Sequence, residues 1–439
     1  MWKTRNKATA LPLFLVANSI TWFSVIWLVI GTLTENTSEG NNLVISVSYF
    51  GAVMISAIIG ATLLHKKLRE KTPLTLWIVF GAVSSIVSAV LIHDTNMTYL
   101  PVISIVLGIA AGLGIPSCLA FFGNHTDFKN RGKTAGVLYL VIQIFSFIIF
   151  FFTSELNIEY VFVALSIWRL LGLVSISFWK FPNIQSEKIK NSINSIIRER
   201  KFFLYFVPWI LFTLINFVEA PLLQTAFGSK IFNDYMWIDN ILSCVSGVIA
   251  GVICDLKGRK LTSISGFILL GLGYGFLSVL AGTQFSQFLY VFFDGVAWGI
   301  LYVTFIYVIW GDISEGKNSE KYYLLGGLPF LFSGITEALV QPFVNYIPIS
   351  TSFSFASFFL FIAIIPLLYA PETLPEKAMK ERDLKSYVEK AQKIAQKGVE
   401  KKQKKETKKK QEEPEESEGE KGENNEEYDE ARKLAEKYY

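Results

Sequence analysis

The chain has 439 residues, 51% hydrophobic and 15% aromatic, with a mean hydropathy of +0.40 and a formal net charge of +4. A soluble chain of this length alternates polar and apolar positions within its elements. Here the apolar residues run in long stretches broken by short polar loops, which excludes an ordinary water-soluble globular protein. No nucleic-acid partner is expected.

A bilayer hydrocarbon core of about 30 Å needs about 20 apolar residues per helix. Twelve stretches qualify, in chain order 9–33, 43–64, 75–93, 100–122, 134–152, 160–179, 202–225, 236–254, 262–281, 287–309, 323–345 and 350–370. They are rich in Phe, Ile, Leu and Gly and lack period-2 alternation, so they read as helices rather than barrel strands. The first has no convincing cleavage site and reads as a retained helix. The predicted fold is an all-α membrane protein with twelve transmembrane helices in two six-helix bundles.

Alternate loops carry the bases: Lys3, Arg5 and Lys7; Lys66, Lys67, Arg69 and Lys71; Lys129, Arg131 and Lys133; the segment from Lys180 to Lys201; Lys257, Arg259 and Lys260; Lys317 and Lys321. The intervening loops hold one, Lys230. This asymmetry predicts a multi-pass cell-membrane protein with both termini cytoplasmic. The sequons at Asn36 and Asn96 fall in predicted outside loops and carry little weight. Cys118, Cys244 and Cys254 sit in or at the ends of apolar runs, with no spacing of a disulfide framework or metal site.

The runs divide six and six. Residues 1–179 make the N-terminal bundle and 202–370 the C-terminal one. Residues 180–201 form a basic linker with Ile184, Ile189, Ile193, Ile196 and Ile197 on one side, suited to the bilayer surface. Residues 371–439 form a charged cytoplasmic tail, helical at first and then too polar to bury a core. The tail is a candidate contact for a partner.

In "GVICDLKGRK", Gly251, Asp255, Gly258, Arg259 and Lys260 fit G-x-x-x-D-x-x-G-R-K. This resembles motif A of the major facilitator superfamily (MFS), secondary transporters of 6+6 helices. The equivalent stretch after the second run, "SAIIGATLLHKKLREK", has Leu64 where Asp255 stands and no Gly-Arg, so the first copy is degraded. "NRGKTAGVLY" (Asn130 to Tyr139) resembles the Arg-Gly start of the family's fifth helix, and "PETLP" (Pro371 to Pro375) the Pro-Glu-Thr after the twelfth in sugar porters. The Gly-Pro antiporter signature of helix 5 is absent. The resemblance implies that helices 1, 4, 7 and 10 line the solute path. It also implies that Asp255 sits near the start of helix 5, around Lys133 and Thr134, as a latch between the halves.

Charges within a bilayer are costly, so they face a cavity or a partner. Arg169, Glu219, Asp239, Asp294 and Glu337 fall within runs. Asp239 reads as interfacial and Arg169 as a structural pairing residue. Asp294, Trp298 and Tyr302 share a helical face, as do Ser333, Glu337 and Gln341. Asn216 and Glu219 precede Pro221, a candidate break in helix 7. The candidates for substrate or proton contact are Asn18, Asn216, Glu219, Asp294, Trp298, Glu337 and Arg169, with Glu219 and Asp294 able to carry protons. Asn18, Gln143 and Gln341 read equally well as hydrogen bonds between helices.

No P-loop, Ser/His/Asp set or metal cluster appears, so neither enzyme activity nor a cofactor is expected. The expected function is secondary active transport of a small solute by alternating access, with protons as candidate coupling ions. The alternative is a transporter-like sensor or scaffold working through the charged tail. A membrane enzyme on lipid-linked substrates is disfavoured, because the first outside loop, "TENTSEGNN", holds no Asp.

Overall fold

The computed structural model describes residues 2–35, 39–64, 71–93, 99–153, 156–178, 192–280 and 282–374, with scattered positions from 384 to 397. Most of the linker, most of the tail, both sequons and the bases at 66, 67 and 69 lie outside the described residues. Among the described residues there is no strand. Twelve helices are long and apolar enough to cross a membrane: spans 1 to 6 at Pro12–Thr34, Asn41–Thr62, Leu74–Ile92, Leu100–His125, Arg131–Thr153 and Ile158–Phe178, then spans 7 to 12 at Arg200–Phe227, Ile231–Lys257, Arg259–Val279, Gln284–Ser314, Ser319–Tyr346 and Ile349–Tyr369.

One large difference from the sequence limits is in span 10. It continues past its apolar run because Trp310, Gly311, Asp312, Ile313 and Ser314 are all buried. Its backbone is π-helical from Tyr302 to Ile309, a local widening common at functional positions. Pro221 does not break span 7, which is one helix with Pro208 and Pro221 inside it. Its buried flanks, Asn216, Glu219, Leu222 and Leu223, are held by neighbouring spans, and packed neighbours let membrane helices tolerate proline.

Residues 1–374 form one compact unit. Ser192 leads into a short helix, Ile193–Ile197, that buries Ile196 but leaves Ile197 exposed. The linker isoleucines therefore do not all share one side. In the separate unit from Pro375 to Tyr439, the described positions are helical, and Leu384, Val388 and Ile394 are exposed.

Two glycine pairs hold span 5 close to span 8. A Cβ on Gly251 would strike the Gly132 carbonyl, and one on Gly136 would come within 2.7 Å of the Gly247 carbonyl. Each helix thus offers a small-xxx-small face, which permits close backbone approach in lipid. The middle of the bundle is filled with rings. Trp27 of span 1 packs on Phe50 (4.7 Å between centroids), Phe330 (5.3 Å) and Phe217 (5.9 Å), and Phe330 packs on Tyr302 at 5.9 Å. Aromatic rings therefore tie spans 1 and 2 to spans 7, 10 and 11 at mid-membrane.

Candidate functional site

Two groups of residues stand out, one at each side of the aromatic middle. The first surrounds a cavity of about 280 Å³ lined by Tyr139 and Gln143 of span 5, Asn216, Ala220 and Leu223 of span 7, Phe232, Met236, Asp239, Asn240 and Ser243 of span 8, and Tyr290, Asp294, Trp298 and Tyr302 of span 10. Asp294, Trp298 and Tyr302 reach it together because residues four apart share a helical face. Asp239 and Asp294 are 8% and 4% exposed. Asp239 reaches span 10 beside Asp294, since a Cβ on Gly295 would lie 2.9 Å from its Oδ1, and Tyr290 sits one turn before Asp294 on the same helix. Tyr290 in turn donates to the Tyr274 hydroxyl at 3.3 Å. Tyr139 and Ser243 are joined through their hydroxyls at 2.6 Å, tying span 5 to span 8 beside the acid pair.

The other sequence candidates lie elsewhere. Asn18 is buried, but its Nδ2 donates to the Trp168 carbonyl at 2.5 Å and its own carbonyl accepts from Trp168 Nε1 at 3.0 Å. It fastens span 1 to span 6. Arg169 is fully buried, donating to Ser19 Oγ at 2.6 Å, with its guanidinium 4.1 Å from the Trp77 ring centre and 5.2 Å from that of Trp22. Glu219 does not line the cavity; it accepts from Ser352 Oγ of span 12 at 2.7 Å. Glu337 is half-buried on span 11, away from the cavity. Gln341 is exposed in the 3-10 turn Gln341–Tyr346, where the span 11 α-helix has ended, so the polar stripe does not continue to it. The cavity thus draws on spans 5, 7, 8 and 10, and no residue of span 1 or 4 lines it.

The second group is a charge cluster at the opposite ends of these helices. Asp255 accepts from the backbone amides of Gly132 (2.9 Å) and Lys133 (2.8 Å) at the first turn of span 5. It also pairs with Arg259 at 3.1 Å. Arg259 donates to Asp312 Oδ2 at 2.8 Å and to the Phe128 carbonyl at 2.6 Å. Asp312 Oδ1 binds Arg131, so one buried carboxylate from span 10 lies between guanidinium groups of spans 5 and 9. Glu372 caps span 9, accepting from the amides of Arg259 (2.8 Å) and Lys260 (3.1 Å). Lys260 Nζ donates to the Leu368 carbonyl at the end of span 12.

Gly258 makes this turn. Its φ is +101°, and a Cβ there would run into the Glu372 carboxylate. Gly251, Asp255, Gly258, Arg259 and Lys260 therefore act as one unit joining spans 5, 9, 10 and 12.

A sequence profile of the Major Facilitator Superfamily matches residues 9–318. The chain belongs to that superfamily. Its fold also matches solved MFS structures at low identity. The human organic anion transporter MFSD10 superposes with a TM-score of 0.59 at 13% identity, covering 82% of this chain and 98% of that one. The proton:xylose symporter XylE bound to 6-bromo-6-deoxy-D-glucose gives 0.59 at 16%, covering 83% and 95%. The E. coli fucose:proton symporter FucP gives 0.60 at 12%, covering 82% and 98%. No curated protein matches the sequence significantly.

Within this MFS chain, sequence reasoning missed Asp312 and Glu372 as members of the cluster and set Asp239 aside as interfacial. Asp312 follows an apolar run, as do many loop acids, and nothing local marks it. Asp239 and Asp294 each stand among apolar residues on neighbouring spans, and the pairing of two such acids was the available signal.

Among the described residues, no three His, Cys, Asp or Glu side chains converge as a metal site.

Proposed function

We propose that this MFS member is a secondary active transporter that moves a small solute by alternating access, coupled to protons and closed in this state at its cytoplasmic end. The bundles of residues 1–179 and 202–370 are the parts that move. What carries the reading is the position of the Asp255–Arg259–Asp312–Arg131 cluster. It joins spans 5, 8, 9 and 10 at one end of the molecule, and the cavity lies toward the other. Asp239 and Asp255 sit on the same helix about 24 Å apart, at about 1.5 Å per residue.

The cluster ends of the helices carry the bases of the alternate loops, which supports assigning them to the cytoplasm. Two carboxyl groups buried in one cavity wall repel each other when both are ionised, and a proton on the pair relieves this, which supports protons as the coupling ion. Asn216, Asp294, Trp298 and Asp239 are the contacts we assign to the solute path. Asn18 and Arg169 hold spans 1, 3 and 6 together.

The test is flux into proteoliposomes bearing a proton gradient, using purified full-length protein and a broad solute panel. The reading expects uptake of at least one solute that stops when the gradient is dissipated. No substrate-dependent flux, together with no change in accessibility at either end, would overturn it. Removing 376–439 should leave flux intact. Loss of a cellular phenotype without any flux would point instead to a sensor or scaffold working through the tail.

A further inference from the structure

The cavity has a one-sided chemistry. Two acids line it, and none of its lining residues is Lys, Arg or His. Five of the lining residues are aromatic: Tyr139, Phe232, Tyr290, Trp298 and Tyr302. Oδ1 of Asp239 and Oδ1 of Asp294 are buried and receive no hydrogen bond from the protein. Buried polar atoms in folded proteins are nearly always paired, so two orphans in one cavity wall mark a place where something else binds.

We infer that the cavity is a binding site for a small monovalent organic cation, held against Asp239 and Asp294 in exchange for one proton. The inference rests on the transport reading above for its consequence, that the cation is carried, but the site stands on the cavity itself. At about 280 Å³ the space falls just under the roughly 300–1,000 Å³ of drug-sized pockets, so the ligand is small. Aromatic rings around an acid favour a quaternary or protonated amine, because ring faces attract cations and bury their alkyl groups.

Charge balance decides the exchange. An uncompensated charge is costly in a dry site. With one proton the acid pair carries a charge of −1. A second proton brings it to zero, and so does a monovalent cation beside the shared proton. The two neutral loadings exclude each other. Binding a cation to the doubly protonated pair releases one proton from a carboxyl O–H to water, leaving the shared proton in place.

Among the described residues, the titratable groups around the pair bring no positive charge. Span 5 contributes Tyr139, span 8 Cys244, span 9 Tyr274 and span 10 Tyr290 and Tyr302; Glu219 of span 7 lies beyond, within electrostatic reach of Tyr274. A neutral polyol would be charge-balanced only on the doubly protonated pair and would release no proton, and an anion would leave either loading unbalanced.

The test uses the full chain in lipid nanodiscs and three probes read by calorimetry: trimethylphenylammonium, its neutral isostere tert-butylbenzene, and D-glucose. The permanent cation cannot itself titrate, so any pH effect belongs to the protein. It should bind at least 10-fold tighter than the isostere, with glucose not binding. Its affinity should fall 10-fold per pH unit on the acid side, with one proton released per cation bound in weak buffer. Asp294→Asn should weaken it at least 10-fold. Asn18→Ala, in a helix contact outside the cavity, should not.

The proposal is overturned if the isostere or glucose binds as well as the cation, or if cation binding is independent of pH and releases no proton. Those wild-type comparisons decide the matter even where Asp294→Asn fails to fold. Binding as described without cation flux keeps the site and overturns transport. Proton-coupled flux of another solute that the cation does not inhibit keeps transport and overturns the site.

Discussion

The Asp255 carboxylate on span 8 accepts a 2.8 Å hydrogen bond from the backbone amide of Lys133, in the first turn of span 5. The Gly132 amide donates to its other oxygen. Two successive amides at a helix N-terminus are unsatisfied donors with a positive end charge, and a carboxylate suits both. The Gly132–Gly251 approach makes the contact reachable, because a side chain at either position would push the helices apart.

Asp255→Asn therefore keeps one amide contact and loses both the charge and the ion pair with Arg259. Losing a charged acceptor costs about 1–3 kcal/mol, a shift of roughly 5- to 150-fold toward the state open at this end. Native Cys254, fully buried beside it, reports the change. With Cys118 and Cys244 replaced by Ser, its maleimide labelling should be negligible in the parent and rapid in Asp255→Asn. Solute affinity in the competent state should be unaltered.

Asp312→Asn should be the more damaging change. It leaves Arg131 without a carboxylate and Arg259 with only Asp255. Breaking a buried ion pair from one side costs about 3–5 kcal/mol. Thermal melting in nanodiscs should drop well below the parent, and adding Arg131→Gln to Asp312→Asn should raise it again.

Two glycines separate backbone strain from contact. Gly258 and Gly282 both have positive φ, +101° and +80°. A Cβ on Gly282 meets nothing within 4 Å, whereas one on Gly258 meets Glu372. Gly282→Ala should cost about 1–3 kcal/mol, the range for strained backbone alone, and Gly258→Ala more, because the Glu372 cap on span 9 must also move. Melting temperatures in the same lipid check the order, and equal losses would remove Glu372 from the account.

Arg169 is a packing residue in this account. Arg169→Ala removes a buried side chain lying on Trp77 and should cost at least about 2 kcal/mol, as large-to-small core changes do. Arg169→Met keeps the length and the aromatic contacts, so it should melt closer to the parent. Both variants should bind solute like the parent, whereas a drop in affinity with Arg169→Met would put the guanidinium on the solute path.

The twelve spans were legible because bilayer thickness imposes a length on apolar runs whatever their neighbours are. The contact of Asp255 with the start of span 5 was legible through the resemblance of GVICDLKGRK to motif A, whose Gly and Arg spacing belongs to one local turn. The expected surroundings were Lys133 and Thr134, and the amides that donate are those of Gly132 and Lys133. Asp312 could not be read, since its importance comes from Arg131 and Arg259, which are brought to it only by folding. Glu219 lies off this cavity for a geometric reason. Three residues advance a helix about 300°, at about 3.6 residues per turn, and the remaining 60° turns Glu219 from the side of Asn216 to Ser352. Asp239 was discounted for lying near a span end, yet span 8 starts earlier than its apolar run and carries Asp239 inward.

The most direct test of alternating access is a pair of distance measurements by electron–electron double resonance, in a background free of reactive cysteine. One spin-label pair, Asn130→Cys with Lys317→Cys, reports the latch end. The other, Asn157→Cys with Gln284→Cys, reports the cavity end; all four positions are exposed. Asp255→Asn should add a longer distance at the latch end and a shorter one at the cavity end, in matching proportions. An unchanged latch-end distance, or both ends lengthening together, would contradict it.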